Sequence, residues 1–295
     1  MPIAAWREAR VFCGRGRPGA VFASSGTTSS RRGKHCFRDL AVYEASVVAG
    51  WDWARAEWAR RGAAVGEKAR FLALMASPGE APGSSLSRML GILARRAGEG
   101  PAFWALRGGR WDWPGLARRL RQAGAAGRGT VVFGTAFAWV GFLDWCAARG
   151  GRFRLGRTAL AVETGGTKGR SREVSREGLH RAIAGTLGLP RGRVRSEYSM
   201  CELSSQAWSF GDRFAFPPWC RARVAPFLGG GGRRGRGAGV LEVADLANTD
   251  SCAFVRTEDL ARAAGKGFRL AGRAPRAVAK GCSLEHERGA RVRPA

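Results

Sequence analysis

The chain has 295 residues, 45% of them hydrophobic, and a formal net charge of +27. That length holds one large domain or one and a half, the apolar content excludes a chain disordered throughout, and no apolar run approaches the ~18 residues of a membrane span. Of the 50 cations only Lys34, Lys68, Lys168, Lys266 and Lys280 are lysine, and the arginines spread along helices and loops alike beside 44 glycines. This reads as the codon habit of a GC-rich genome rather than a built polyanion surface, so nucleic acid is not expected as a partner.

The seven cysteines are scattered and form no C-x-x-C pair, which argues against a disulfide framework or a zinc site. The first residues, "MPIAAWREARVF", lack the charged start, long apolar stretch and cleavage site of a secretory signal, so the expected compartment is the cytoplasm.

In chain order, "GAVFASS" reads as a strand entering a polar loop, and Phe37 to Gly62 as a long helical region with Leu40, Tyr43, Val47 and Trp51 at helical spacing. "ARFLALMAS" is a buried strand, Leu86 to Ala97 a helix, and Thr130 to Phe137 a strand followed by a helix that Gly150 and Gly151 stop. "TALAVETGG" is a strand running into a Gly-Gly loop. Ser175 is a candidate N-cap for a helix burying Leu179, Ile183 and Leu187, and "VRSEYSM" is a short strand. The alternation predicts an α/β core over 1–208 with a largely parallel sheet. Beyond it, "GVLEVADLA", "SCAFVRTEDL" and "GFRLAGR" predict a smaller β-rich subdomain over 209–284, followed by a tail at 285–295.

Open α/β sheets bind ligands beyond the carboxyl ends of their strands, and three such loops here carry unusual chemistry. The first, Ser24, Ser25, Gly26, Thr27, Thr28, Ser29 and Ser30, offers hydroxyls and backbone N–H groups beside Arg31, Arg32 and Lys34. Phosphate suits it, although it is not the common P-loop, and a solvated Ser/Thr turn is the plain alternative. The second places Gly165 and Gly166 where a flat ring or phosphate could lie against backbone, or where a strand simply turns into a helix. The third places Glu202 just past a strand, as a magnesium ligand or a surface carboxylate, and Tyr198 as an adenine-stacking ring or a core residue. His35 either orients a substrate carboxylate or caps the neighbouring helix. Phe133, Phe137, Trp139 and Phe142 either line an acyl pocket or pack in the core.

Taken in order, "SSGTT", the "GG" loop, "EYSMCE", "RTEDL" and "GR" resemble the motif series of the adenylate-forming enzymes. The longer stretches "SPGEAPGSSLSRML", "ETGGTKGRSREVSREGLHRAI", "EYSMCELSSQ", "DLANTDSCAFVRTEDL" and "GFRLAGR…KGCSL" resemble the acyl-protein synthetases of the LuxE type, from about Ser24 to Leu284. The resemblance implies a nucleotide-binding large domain with a β-rich subdomain completing the ATP site, without the superfamily's separate C-terminal domain and with a short N-terminal segment. It also implies ATP-dependent activation of a long-chain fatty acid to an acyl-adenylate, followed by transfer to an enzyme cysteine. An acyl-CoA-reductase-like partner of the LuxC type would then take the acyl group.

By the same resemblance, Ser24 to Ser30 hold the β- and γ-phosphates and Gly165 and Gly166 border the adenine. Tyr198 stacks on that ring, Glu202 binds Mg²⁺, Asp259 bonds the ribose hydroxyls, Arg273 lies near the nucleotide, and Cys282 accepts the acyl group. Lys280 beside Cys282 favours a thiolate. Two positions depart from the superfamily pattern: Ser199 and Cys201 stand where glycine and threonine are usual, and a thiol is a poor substitute donor toward the α-phosphate. The rival readings are an acyl- or aryl-CoA ligase that releases a free thioester, and a catalytically impaired nucleotide- or polyanion-binding relic.

Overall fold

The computed structural model describes residues 1–24, 32–64, 66–165, 174–226 and 238–273. Its elements run α1 (Ala5–Glu8), β1 (Ala20–Ala23), β2 (Lys34–Phe37), α2 (Ala41–Ala59), β3 (Arg70–Ala76), α3 (Ser85–Ala97), β4 (Phe103–Arg107), β5 (Arg110–Trp111), α4 (Trp113–Ala126), β6 (Thr130–Thr135) and α5 (Ala136–Ala147). There follow β7 (Ala159–Thr164), α6 (Arg176–Leu187), β8 (Val194–Tyr198), β9 (Ala207–Phe210), β10 (Arg213–Ala215), β11 (Cys220–Ala225), β12 (Gly239–Asp245), β13 (Phe254–Ala264) and β14 (Gly267–Arg273). The chain divides into two compact units, one of residues 1–54 with 198–282 and one of residues 55–197 with 283–295.

The unit of residues 55–197 is the parallel one. Its strands lie in the order β8-β7-β6-β3-β4-β5, all parallel except the short β5. β7 is buried at every residue and β3 and β6 at all but an end residue, as expected of strands covered on both faces. One core packs Leu72, Leu74, Val132 and Ala161 against Leu116 and Leu120 of α4, Trp139 and Phe142 of α5, and Leu179, Ile183 and Leu187 of α6. The helix starts are fixed by side chains: Ser84, Asp112, Thr135 and Ser175 each accept a hydrogen bond from a backbone N–H three residues on. The Thr135 cap ends β6 two residues before the expected Phe137, because the backbone is already turning into α5. Phe133, Trp139 and Phe142 are fully buried in this unit and Phe137 is half-buried, so three of the four aromatics are packing residues.

The other unit is antiparallel. β1 and β2 form a hairpin in register from Ala20↔Phe37 to Ala23↔Lys34, so residues 34–37 make a strand where the sequence suggested the end of a loop and the start of a helix. β11-β12-β13-β14-β10-β9 is an antiparallel meander-like sheet. β13 alternates strictly over Val255, Thr257, Asp259 and Ala261, which are buried, while the residues between them are half-buried. This alternation turns the Asp259 carboxylate inward. The core of this unit gathers Trp6, Tyr198, Leu203, Phe214, Phe216, Leu241, Val243, Val255 and Phe268. Among the described residues no helix is long and apolar enough to cross a membrane.

Candidate functional site

Four of the residues singled out in the sequence belong to the unit of residues 1–54 and 198–282: Tyr198 and Glu202 on the segment that leaves β8, Asp259 on β13 and Arg273 on β14. Tyr198 is the last residue of β8 and Glu202 follows four residues later. The Tyr198 ring packs edge-on against Phe214, Phe216 and Phe268, and its hydroxyl donates to Asp259 Oδ2 at 2.8 Å. Burial first, then the Asp259 carboxylate, push that hydroxyl well above its ordinary pKa, so it remains a donor. Arg273 Nε reaches Asp259 Oδ1 at 3.1 Å. The two are directly opposed partners in the β13–β14 ladder, a cross-strand charge pair. Asp259 is therefore clamped from both sides, with lone pairs left on each oxygen for further donors.

Glu202 is buried, with 1% of its surface exposed, and it faces the neck of the hydroxyl-rich loop. Ser24 N donates to Gly33 O at 2.8 Å, and Gly33 N donates back to Ser24 Oγ at 2.8 Å. These two bonds extend the β1–β2 ladder by one pair and bring the loop's ends together. A Cβ at Gly33 would sit 2.8 Å from Glu202 Oε1 and 3.2 Å from Ser24 Oγ, so the space that glycine leaves is bordered by a carboxylate and a hydroxyl. Those are the hard oxygen donors that magnesium takes, usually with substrate phosphates completing the shell. Among the described residues no group of three or more His, Cys, Asp or Glu stands together to hold an ion by itself. Ser25, Gly26, Thr27, Thr28, Ser29, Ser30, Gly166 and Cys282 lie outside the described residues.

Three residues whose role the sequence left open or missed fix the turn after β8 from behind. His35 is fully buried. Its Nδ1 lies 2.9 Å from Cys201 O and its Nε2 2.8 Å from Ser251 Oγ. A carbonyl can only accept, so Nδ1 carries the proton and Nε2 accepts from the Ser251 hydroxyl. Burial lowers the pKa to about 4, partly opposed by the Cys201 carbonyl and by Asp250, and the ring is neutral. Both nitrogens being engaged, His35 neither reaches a substrate carboxylate nor caps α2; Asp39 accepts the Ala41 N–H there. Asn248 Nδ2 donates to Glu202 O at 2.9 Å. Asp245, buried completely, accepts from Ser204 N, Ser205 N, Ser205 Oγ and Ala247 N. The signal was a polar cluster, "DLANTDS", directly after an apolar strand. Cys201, the other departure from pattern, is buried with 1% exposed.

The unit of residues 55–197 presents its own carboxyl-end groups. Gly165 follows β7 with φ +78, a backbone conformation that favours glycine. Thr164 Oγ1 donates to Glu197 Oε2 across the β7–β8 pair. Glu163 is bonded by Ser196 Oγ and faces His180 Nε2 at 3.4 Å and Arg176 Nε at 3.8 Å. That cluster ties α6 to the ends of the strands.

No family model and no curated protein matches the chain. Solved structures do. An open conformation of 2-hydroxyisobutyryl-CoA ligase in complex with 2-HIB-AMP and CoA superposes with a TM-score of 0.62 at 14% identity, over 92% of this chain and 63% of that one. ATP-bound MatB from Rhodopseudomonas palustris gives 0.55 at 17% identity, over 88% and 49%. McyG A-PCP complexed with phenylalanyl-adenylate gives 0.56 at 13%, over 86% and 46%. The chain thus spans between about half and two thirds of these proteins' length. At this level of identity the likeness is one of architecture, and the chain has the mixed α/β fold that these three structures share.

Proposed function

We propose that the chain is an ATP-dependent acyl ligase that joins a carboxylic acid to the α-phosphate of ATP, releasing pyrophosphate, and then passes the acyl group from that acyl-adenylate to a thiol, releasing AMP. The observation that supports this most is the placement of Glu202 against the neck of the Ser24–Gly33 loop, four residues from the Tyr198–Asp259–Arg273 clamp. A loop of hydroxyls, a buried carboxylate and a carboxylate clamped for diol recognition are the parts a nucleotide triphosphate needs.

The reaction brings two anions together, and its barrier falls when the phosphates are neutralised and held in line. Ser24 and the loop residues after it would bind the β- and γ-phosphates, Asp259 the ribose hydroxyls, and Glu202 with Ser24 would hold Mg²⁺. The ion would supply charge neutralisation for the triphosphate. Tyr198 and Arg273 orient Asp259. The proposed acid is a long-chain fatty acid and the proposed thiol is Cys282, with an acyl-CoA-reductase-like protein of the LuxC type as the onward acceptor.

Acid-dependent ATP–pyrophosphate exchange tests the first step. Exchange that rises with fatty acids of some chain length is expected; none with any acid would remove the ligase reading. The Cys282→Ser variant separates the two thiol readings. Self-acylation should vanish while exchange persists, whereas undiminished thioester formation on added CoA would favour a free-thioester ligase.

A further inference from the structure

A cavity of about 370 Å³ opens in the unit of residues 55–197, at the amino ends of β3 and β4. This is the end of the parallel strands opposite to that of Glu163 and Gly165. Arg70 is the first residue of β3 and Phe103 the first of β4, and Phe103 stands opposite Leu72 in the ladder. Alternation along β3 turns Arg70 and Leu72 to one face. α4 covers that face, because Leu72 and Phe103 share a core with its Leu116 and Leu120. The cavity is the gap at the rim of that core. Leu72 and Phe103 supply its apolar lining, and Arg70, Glu99, Arg118 and Arg119 its polar lining.

The Arg119 guanidinium is held in place. Its carbon lies 4.1 Å from the centroid of the Phe103 ring, and its Nη1 donates to Gly115 O at 3.3 Å, one turn back on α4. A flat guanidinium laid over a ring keeps its N–H groups at its edge, and those not spent on Gly115 remain for a ligand. Glu99 is the one carboxylate lining the cavity, against three guanidinium groups. Among the described residues Arg70, Arg118 and Arg119 enter no ion pair. Burial, then Arg118, then Arg107 lower the Arg119 pKa, opposed by the smaller effect of Asp112. A cleft lined by one sign of charge, with apolar walls, concentrates ions of the other sign.

We propose that this cavity binds a small organic molecule bearing at least two negative charges on phosphate or carboxylate oxygens, held by Arg70, Arg118 and Arg119 with its apolar part against Leu72 and Phe103. Guanidinium groups match both kinds of oxygen in paired hydrogen bonds, and the volume lies in the range of small-ligand pockets. The site shares no residue with the one proposed for ATP and does not rest on the ligase reading.

Phenyl phosphate and phthalate are the probes, each a dianion with an apolar ring, one with phosphate and one with carboxylate oxygens. They are titrated calorimetrically into the full chain in low-salt chloride buffer, with Arg119→Gln, Arg118→Gln and Arg110→Gln alongside. At least one probe should bind the wild type at millimolar concentration, and the probe that responds to the variants identifies the oxygen class. Arg119→Gln should weaken that binding by about tenfold or more and Arg118→Gln by a few-fold. Arg110 is an exposed arginine of β5 outside the cavity, so Arg110→Gln removes the same charge and should leave the isotherm unchanged. No binding of either probe, an Arg118→Gln isotherm that matches wild type, or equal weakening in Arg110→Gln overturns the proposal. If Arg119→Gln does not fold, Arg118→Gln, whose side chain is exposed, decides alone. Acid-dependent exchange, run on the same proteins, reads the ATP reaction separately, so its absence would count against the ligase reading and leave this result standing.

Discussion

Gly33 is the residue where sequence and site are most tightly linked. Any side chain there competes with Glu202 and Ser24 for the same space. Gly33→Ala should cost about 1–3 kcal/mol of stability by overpacking and lower acid-dependent exchange by about tenfold or more, because the carboxylate must move. Exchange at the wild-type rate would show that the Glu202 position is not used. His35 makes a different prediction. Its folded pKa of about 4 lies below the ordinary value of 6.5, so the unfolded chain takes up a proton that the folded chain refuses. The stability it secures is complete above pH 6.5 and drains away as pH falls toward 4, by about 3 kcal/mol in all. Denaturant unfolding at pH 7.5 and pH 5 should show that slope, and His35→Gln should flatten it; parallel slopes in the two proteins would contradict the buried neutral ring.

At the scale of elements, the turn from Tyr198 to Gln206 owes its shape to Asp245 at the end of β12. One carboxylate satisfies three backbone N–H groups and a hydroxyl. Asn in its place offers one acceptor oxygen and turns an NH₂ toward donors. Asp245→Asn should therefore destabilise the protein by about 2–3 kcal/mol, read as a lower denaturation midpoint, and a loss under half of the lower figure would mean the turn holds itself. Elements with long apolar runs or caps, such as β3, β6, β7 and the Ser175-capped α6, were legible in the sequence because burial on both faces and side-chain capping leave local marks. β2 was not: "KHCF" is too short and mixed to show a period, and only its ladder with β1 makes it a strand. α4 carries a local signal of its own, Asp112 followed by Pro114 at a helix start. The groups that the structure brings together at the candidate site differ in how they show in the sequence. Tyr198, Glu202, Asp259 and Arg273 stand in recognisable motifs, whereas His35, Asp245 and Asn248 act by hydrogen bonds to backbone far away in sequence, which no spacing rule records.

For the whole molecule, the net charge of +27 implies a folded state that repels itself. Raising sodium chloride from about 20 to 300 mM shortens the screening length to less than half and should raise the melting temperature by several degrees, followed by scanning fluorimetry; a flat or falling response would mean the cations are already locally neutralised.

The unit carrying the proposed site is assembled from two distant stretches of chain. Ile3 N bonds Arg256 O, and Arg256 N bonds Met1 O, so the first residues are completed by β13. During synthesis the first 54 residues must then wait for their partners. At ~5–20 residues per second, the wait until β14 is made is roughly 10 to 40 seconds. Through that interval the β1–β2 hairpin has neither the Asp245-anchored turn nor Asp250 to dock against. Residues 55–197, contiguous in sequence, can fold meanwhile. The Asp259–Arg273 pair therefore forms only once β14 has been made, long after the β1–β2 hairpin has left the ribosome.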